Sequence, residues 1–266
     1  MEPTSPPGEH IVVEREGAIV TLTFNRPEAR NAMTWDMYRR LGEVCDEVDR
    51  DDAVRVLVLR GAGGKAFVAG TDIAQFQNFS DRDDGVKYEE RLDRVLDRLE
   101  RVTKPTIAQV QGVAAGGGCA IAFACDLRVA TPDASFGIPI ARTLGNCLSA
   151  ATCARLLDLM NPGVAKDILF TGRLISGEEA KSLGLVNRLV PGHDLDRAVR
   201  TLATEIAANA PLTIRATKEL IRRVLAHRRL PRGADADIVE MCYTSRDFRE
   251  GIESFLSKRK PVWSGS

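Results

Sequence analysis

The sequence predicts an α/β protein with a mainly helical C-terminal section. In the first half, short apolar runs rich in Val, Ile and Thr alternate with segments whose apolar residues recur at helical spacing. Glycine-rich turns separate these segments. From about residue 147 onward, helical segments follow one another and are punctuated by proline and glycine. Strands that alternate with helices, followed by helices alone, indicate an α/β core with a helical C-terminal section.

The first elements are a pair of strands and an amphipathic helix. Strands are expected at 11–14 and 18–24, on either side of a turn at 16–17. Thr34 can cap a helix over 35–50 through its side-chain oxygen. One face of this helix carries the apolar residues Met37, Leu41, Val44, Cys45 and Val48.

The next elements repeat the alternation of strand and helix. Residues 54–60 form a strand that ends at a run of glycines, and 86–101 form a charged helix with leucines on one side. The apolar run 105–113 is typical of a strand buried on both faces. Short strands are expected at 127–130 and 135–137.

Composition excludes several classes of protein. The 266 residues are enough for a large domain with a substantial core, and 44% are hydrophobic and 28% charged. The 37 basic residues balance the 37 acidic ones, so no bulk attraction to nucleic acid or to an anionic membrane is expected. No apolar run is long enough to span a membrane, and the polar N-terminus does not resemble a signal peptide.

The cysteines favour a reducing compartment and no metal. Six cysteines are scattered without a CxxC pair, and only three histidines are present. This pattern fits neither a structural zinc site nor a disulfide framework, so the cytosol is the expected location.

The segment GVAAGGGCA at 112–120 is the first candidate site. A strand runs into consecutive glycines at 116–118, where a helix is expected to begin. Glycine allows close approach to the backbone, and the first N–H groups of a helix have no partner within it. Such a turn can stabilise developing negative charge. A packing turn without function is an equal alternative on spacing alone, whereas neither GxGxxG nor GxxxxGK[ST] is present.

The segment KAFVAGTDI at 65–73 makes the pattern more specific. Together with GVAAGGGCA it resembles the enoyl-CoA hydratase/isomerase, or crotonase, superfamily. Further matching segments cover nearly the whole chain: 24–33, 104–105, 125–126, 135–137, 169–172, 180–186 and 247–259.

The resemblance implies an α/β fold with a crotonase-like spiral of ββα turns over 11–200. It also implies a helical C-terminal trimerisation section over 201–266 and a flexible N-terminus over 1–10. The expected assembly is a homotrimer or a dimer of trimers. The expected substrate is an acyl-CoA thioester, and no separate cofactor is expected because CoA is part of the substrate.

The resemblance also implies site residues. The backbone N–H groups of Thr71 and Gly117 would form an oxyanion hole for the thioester oxygen. Ala69, Asp72 and Ile73 would line the path of the acyl-CoA. The candidates for contact with the adenine and phosphates of CoA are Ala29, Arg30, Phe255 and Lys258.

Two positions depart from the family pattern. The archetypal hydratase has glutamates where this chain has Ala120 and Ile140. Each positioned acid or base is worth roughly 10²–10⁴ in rate, so ordinary hydration of an enoyl-CoA should be nearly abolished.

Other groups could replace the missing acids. Relatives that dehalogenate aryl-CoA substrates carry a nucleophilic aspartate near the position of Cys147, and a thiolate there would suit hydrolysis or transfer. Arg142, Thr143 and Asn146 could orient a water. Asp72 and Asp126 are expected to be structural, and the three histidines lie outside every motif.

Three hypotheses about function therefore stand. The first is a lyase or isomerase classed with the enoyl-CoA hydratases. The second is a thioester hydrolase or decarboxylase on the same scaffold. The third is an acyl-CoA-binding subunit without catalytic activity.

Overall fold

The computed structural model describes residues 10–77, 79, 82–231 and 233–266. The predicted flexible N-terminus lies outside these residues except for His10, which is exposed. In the described part of the chain, no helix is long and apolar enough to cross a bilayer.

Ten strands form two sheets in the part of the chain that the structure describes. The strands are β1 (Ile11–Glu16), β2 (Ile19–Phe24), β3 (Val56–Gly61), β4 (Ala66–Val68), β5 (Thr106–Val110), β6 (Val113–Ala115), β7 (Leu127–Ala130), β8 (Ser135–Gly137), β9 (Ile175–Ser176) and β10 (Arg188–Leu189). The six-stranded sheet has the order β1-β2-β3-β5-β7-β10, and the four-stranded sheet has the order β4-β6-β8-β9. The β1–β2 hairpin is antiparallel, as is β8–β9, whereas β2 to β7 pair in parallel within their sheets.

Eleven α-helices connect and cover the sheets in the described residues. They are α1 (Trp35–Arg50), α2 (Arg82–Glu100), α3 (Gly117–Ala124), α4 (Ile140–Thr143), α5 (Ala150–Leu159), α6 (Pro162–Thr171), α7 (Gly177–Ser182), α8 (Leu195–Ala208), α9 (Pro211–Ala226), α10 (Ala236–Tyr243) and α11 (Arg246–Leu256). Short 3-10 turns lie at Pro27–Ala29, Ile73–Phe76 and Gly192–Asp194.

The chain repeats a ββα unit. In β3–β4–α2, β5–β6–α3 and β7–β8–α4, the first strand joins the larger sheet and the second joins the smaller one. Equivalent strands of successive units are therefore parallel neighbours, and their carboxyl ends lie side by side. The predicted α/β class is confirmed, and so is the cap of α1, because the Thr34 side chain accepts a hydrogen bond from the Met37 N–H.

The prediction of a single strand over 105–113 is wrong. The chain leaves the larger sheet after β5 and enters the smaller sheet as β6. Gly112 makes this step with φ of +68°, and a Cβ on it would lie 2.2 Å from the Lys65 carbonyl oxygen. Only glycine fits this turn, because both the dihedral and the close approach exclude a side chain.

The helical section leaves the core at α9. The predicted boundary at residue 200 falls inside α8, whose residues Leu195, Val199, Leu202 and Ala203 pack on the larger sheet. In contrast, α9 buries none of its residues. The chain then returns to the body of the molecule, because Val239, Tyr243 and Phe248 of α10 and α11 belong to the main core.

Candidate active site

The two predicted oxyanion segments meet at the carboxyl ends of β4 and β6. Gly70 and Gly116 have φ of +117° and +52°, and each turns the chain sharply out of the smaller sheet. A Cβ built on Gly116 would lie 3.7 Å from the Gly70 Cα, so the two turns touch. The pairing of β4 with β6 thus brings Thr71 and Gly117 together from positions 46 residues apart in the sequence.

The backbone N–H groups of Thr71 and Gly117 are available to a ligand. The neighbouring groups are occupied: Met33 N–H donates to Gly70 O at 2.8 Å, Asp72 N–H to Met33 O at 2.9 Å and Gly116 N–H to Gly137 O at 2.9 Å. Within the described residues, neither the Thr71 nor the Gly117 N–H has a hydrogen-bond acceptor. Gly117 is also the first residue of α3, where the helix dipole is positive.

A chain of three hydroxyl groups lies beside these N–H groups. Thr71 Oγ1 lies 2.9 Å from Tyr38 Oη and 2.9 Å from Tyr88 Oη. A Cβ on Gly117 would be 2.4 Å from Tyr38 Oη, so this hydroxyl occupies the space that a side chain would need. Burial raises the pKa of both tyrosines, which keeps their hydroxyls protonated as donors.

Asn31 fastens the segment that precedes α1 to the connection between β3 and β4. This residue is fully buried with φ of +58°, and its Nδ2 donates to the carbonyls of Ala62 and Ala66 at 3.0 and 2.8 Å. The Ala69 N–H donates to Arg30 O at 3.1 Å. As a result, the predicted CoA-contact residue Arg30 lies beside Ala69 of the predicted acyl-CoA path.

The acidic residues of the motifs have structural partners. Asp72 forms an ion pair with Arg26 at 2.7 Å and accepts a hydrogen bond from Ala74 N–H. The second contact caps the 3-10 turn that begins at Ile73. Asp126 accepts hydrogen bonds from Thr106 and pairs with Lys218 at 2.6 Å. Both arrangements agree with the structural roles expected for these carboxylates.

Phe255 lies in the last turn of α11, and Lys258 lies just after the helix. The helix packs near the Ile73–Phe76 turn, but both residues are exposed, with Phe255 at 52%. Their predicted contact with CoA stays a prediction.

The two positions that lack glutamate lie on α3 and α4. Ala120 is buried on the first turn of α3, and its N–H donates to Gly116 O. Ile140 is half-buried and begins α4, which is a short helix in the segment expected to be a loop. Both side chains are apolar, so neither position offers an acid or a base.

Cys147 lies in the predicted catalytic loop, and its thiol is held protonated. Its Sγ lies 3.9 Å from Ile238 O, and a hydrogen bond with Cys242 together with burial raises the pKa of the Cys147 thiol. His193 and His227 are exposed, as is His10. A thiol held protonated is a poor nucleophile, so the catalytic role of Cys147 stays a prediction.

The polar residues of the same loop bond within the protein. Thr143 Oγ1 donates to Pro139 O at 2.9 Å, and Asn146 Nδ2 donates to Tyr243 Oη at 3.0 Å. Arg142 is exposed.

Sequence reasoning missed a buried acid on α2. Glu89 is 4% exposed, accepts a hydrogen bond from Tyr243 Oη at 2.5 Å and accepts another from Ser149 N–H at 3.2 Å. Burial is the main cause that raises the pKa of Glu89 to about 8. A signal was available, because Glu89 lies on the same helical stripe as Leu92, Leu96 and Leu99.

A cavity of about 900 Å³ lies between α2, α5 and α9. Glu89 and Ser149 are on its wall, whereas Thr71 and Gly117 are not. Among the described residues, no cluster of His, Cys, Asp and Glu could hold a metal ion.

The chain has many relatives that share this architecture. Residues 14–266 match the enoyl-CoA hydratase/isomerase family. A short-chain-enoyl-CoA hydratase of Clostridium acetobutylicum is 34% identical over 94% of this chain and 96% of its own length. A crotonyl-CoA hydratase of Syntrophomonas wolfei is 35% identical over 95% of this chain and 96% of its own length.

Solved structures agree with these sequence matches. The crystal structure of an enoyl-CoA hydratase/carnithine racemase from Magnetospirillum magneticum is 34% identical, covers 97% of this chain and 96% of its own, and has a TM-score of 0.79. Methylmalonyl-CoA decarboxylase complexed with 2S-carboxypropyl-CoA is 25% identical, with coverage of 97% and 99% and a TM-score of 0.87.

These matches define the class of the protein. The chain belongs to the enoyl-CoA hydratase/isomerase, or crotonase, family, as its motifs predicted. It is therefore an enzyme of the crotonase family.

Proposed function

We propose that this chain binds an acyl-CoA thioester and stabilises its enolate between the N–H groups of Thr71 and Gly117. The observation that carries the proposal is that these two N–H groups lack acceptors among the described residues and project from adjacent turns. The thioester oxygen would accept both hydrogen bonds. As negative charge develops on that oxygen, the bonds strengthen, which lowers the barrier to enolate formation.

The hydroxyl chain would hold this oxyanion hole in shape. Thr71 supplies one N–H and also the central hydroxyl, so the bonds from Tyr38 and Tyr88 restrict the position of its backbone. A hole that is rigid before substrate binds spends no energy on reorganisation during the reaction.

We do not expect efficient hydration of an enoyl-CoA by the usual two glutamates. Ala120 and Ile140 offer no group to position water or shuttle a proton. Each such group contributes about 10²–10⁴ in rate, so an oxyanion hole alone leaves hydration slow. Two relatives are named as hydratases, but this chain has Ala120 and Ile140 where the resemblance implies acids.

Decarboxylation is the second candidate reaction. Loss of CO₂ from a carboxyacyl-CoA generates the enolate directly, so the oxyanion hole is needed but a base is not. The similarity in shape to a methylmalonyl-CoA decarboxylase supports this candidate. Thioester hydrolysis through Cys147 has less support, because the thiol is held protonated.

The CoA moiety would lie along the segments fastened by Asn31. Ala29 and Arg30 would contact the adenine and phosphates, while Ala69, Asp72 and Ile73 would follow the pantetheine and acyl parts. Phe255 and Lys258 at the end of α11 would complete the contact. Arg30 offers a permanent cation for a phosphate.

We also propose that the protein assembles as a homotrimer or a dimer of trimers. The support is the exposed apolar face of α9, on which Leu212, Leu220, Ile221 and Val224 are 56–76% exposed. Such a face in a soluble protein marks an interaction surface. A reducing cytosol remains the proposed location, because all six cysteines are unpaired.

A panel of CoA thioesters tests the proposal. The assay follows loss of the enoyl absorbance, release of CO₂ and release of free CoA, and acyl-CoA binding is measured separately by calorimetry. We expect binding, slow hydration of crotonyl-CoA and faster turnover of a carboxyacyl-CoA. Rapid crotonyl-CoA hydration would contradict the importance given to Ala120 and Ile140. Binding without any turnover would favour an acyl-CoA-binding subunit. Free CoA release that vanishes in Cys147→Ala would support hydrolysis.

A further inference from the structure

Glu89 differs from the other acids of the chain in its surroundings. Among the described residues, it is the only Asp or Glu that is buried as a whole. Asp158 also has a nearly covered side chain, but two arginines, Arg228 and Arg229, pair with it. No ion pair to Glu89 is present in the described part of the chain, and its hydrogen-bond donors are a phenol and a backbone N–H.

A buried carboxyl without a cation is costly for a fold to keep. Burial disfavours the charged form, and a structural acid in the core is normally paired. The fold nevertheless provides donors for both carboxyl oxygens, from Tyr243 on one side and Ser149 on the other. Donors to both oxygens support the charged form while burial supports the neutral form, which is the balance expected for a group that exchanges a proton.

Glu89 lies where the elements of the site converge. It follows Tyr88, whose hydroxyl is bonded to Thr71 of the oxyanion hole. Ser149, its backbone donor, ends the segment that begins at Ile140. Tyr243 connects it through Asn146 to the same segment, and the rings of Tyr243 and Tyr88 have centroids 5.9 Å apart.

The charge of Glu89 also reaches the oxyanion hole. The pKa of Tyr38 is raised mainly by burial, and the nearby Glu89 carboxylate raises it further. Tyr38 Oη occupies the space that a Cβ on Gly117 would need. On another side, Glu89 borders the cavity between α2, α5 and α9, which gives its carboxyl a route to solvent protons.

We propose that the Glu89 carboxyl, oriented by Tyr243 and Ser149, is the proton-transfer group of this site and takes the place of the acids absent at Ala120 and Ile140. The inference rests on the proposed binding of an acyl-CoA at Thr71 and Gly117. In the forward step the carboxylate removes a proton from the acyl α-carbon. The C–H bond breaks, an O–H bond forms on Glu89, and the electron pair moves into the enolate. In the reverse step Glu89 returns the proton to carbon.

Hydrogen exchange at the α-carbon measures this step without assuming the final reaction. A saturated acyl-CoA, butyryl-CoA, is incubated with the full-length protein in D₂O, and deuterium at C2 is followed by NMR. Binding of butyryl-CoA and thermal stability are measured on the same samples. The variants are Glu89→Gln, which keeps the size and hydrogen-bonding capacity, and Glu90→Gln, whose exposed carboxylate is the matched control.

The expected result is specific to the proton transfer. Glu89→Gln should slow C2 exchange by about 10²-fold or more while binding stays within a few-fold, and Glu90→Gln should match the wild type. If the wild type exchanges and the exchange rate of Glu89→Gln stays within about 3-fold of it, the role of Glu89 is overturned. The proposed oxyanion hole would then remain intact. Binding without exchange in the wild type would also overturn the role of Glu89, whereas the proposed acyl-CoA site would stand. Failure to bind butyryl-CoA would remove the acyl-CoA site and the inference with it.

A pH profile separates catalysis from structural support. The groups that face Glu89 are Tyr38 on α1, Tyr88 and Asp93 on α2, Tyr243 and Asp235 from the α10 side, and the thiols of Cys147 and Cys153 from the α5 side. Wild-type exchange should rise with pH and level off above about 8, where Glu89 is charged. Tyr243→Phe removes a donor that lowers the pKa of Glu89, so its profile should shift to higher pH. An unshifted profile with a uniformly lower rate would contradict the role assigned to Glu89.

Discussion

At the scale of single residues, the proposed site includes a glycine that leaves room for a hydroxyl. Gly117 has no positive φ, so alanine is compatible with its backbone. Its side-chain space is instead filled by Tyr38 Oη, 2.4 Å from the position of a Cβ, while Cζ of the ring is 3.7 Å away. The position of the Tyr38 hydroxyl therefore requires glycine at residue 117.

This contact predicts a double-mutant rescue. Gly117→Ala should lower turnover at least 10-fold, because the methyl group pushes Tyr38 and with it the hydroxyl chain that holds Thr71. Gly117→Ala with Tyr38→Phe removes the clashing oxygen and should recover part of that loss. Steady-state kinetics of the wild type, both single variants and the double variant measure the coupling. Strictly additive effects would show that the two residues do not interact.

A second prediction concerns the pH dependence of stability. The pKa of Glu89 lies near 8 in the folded protein and near its ordinary value of 4.5 in the unfolded chain. Between these values the folded protein binds one proton more, so Glu89 makes stability fall as pH rises, by at most about 1.4 kcal/mol per pH unit. Glu89→Gln removes this contribution. Its free energy of unfolding should therefore increase relative to that of the wild type as the pH rises from 5 to 8. Denaturant unfolding across this range tests the sign, and a constant difference would contradict it.

At the scale of elements, helix α3 would orient the proposed oxyanion hole. Its first residue is Gly117, and the buried guanidinium of Arg128 donates to carbonyls at its other end: Ala122 at 3.2 Å, Cys125 at 2.6 Å and Asp126 at 3.5 Å. Arg128 also donates to Leu185 O at 2.6 Å and has no carboxylate partner among the described residues. A cation at the helix C-terminus complements the dipole whose positive end faces the site.

Loss of this cation should therefore destabilise the fold. Arg128→Met keeps much of the apolar bulk but leaves several buried carbonyls without a donor, at about 1–3 kcal/mol for each such group. We expect a loss of about 3 kcal/mol or more in the free energy of unfolding, measured with urea. Arg188→Met on the neighbouring strand changes an exposed side chain and serves as the control. Equal stability of the two variants would contradict the capping role.

At the scale of the whole molecule, α9 is held to the body by few contacts. Lys218 bonds to Asp126 and to the carbonyl of Lys104, while the apolar residues of the helix are exposed. An apolar helix face of this kind needs a covering surface. The proposed oligomer supplies one.

The proposed assembly gives a direct prediction. Val224→Asp places a charge on the apolar face of α9 and should dissociate the oligomer to smaller species. Arg215→Asp changes the opposite side of the helix, by the 100° rotation of each residue, and should leave the assembly unchanged. Light scattering coupled to size-exclusion chromatography gives the masses. A monomeric wild type, or an unaffected Val224→Asp variant, would contradict an interface on α9.

The alternation of strands and helices and the two glycine turns could be predicted because each leaves a local pattern. Local patterns did not show the division of 105–113 into two strands, since the break at Gly112 depends on its contact with Lys65, far away in the sequence. Tyr38 and Glu89 were missed for the same reason. Their importance comes from partners such as Thr71 and Tyr243, which only the fold brings near.

A structure with bound butyryl-CoA tests the central claim most directly. The proposal predicts the thioester oxygen about 2.7–3.1 Å from the backbone nitrogens of both Thr71 and Gly117. It also predicts that the acyl α-carbon faces the Glu89 carboxyl group. An acyl group bound elsewhere, such as in the cavity between α2, α5 and α9, with no ligand oxygen near these two nitrogens, would contradict the proposed oxyanion hole.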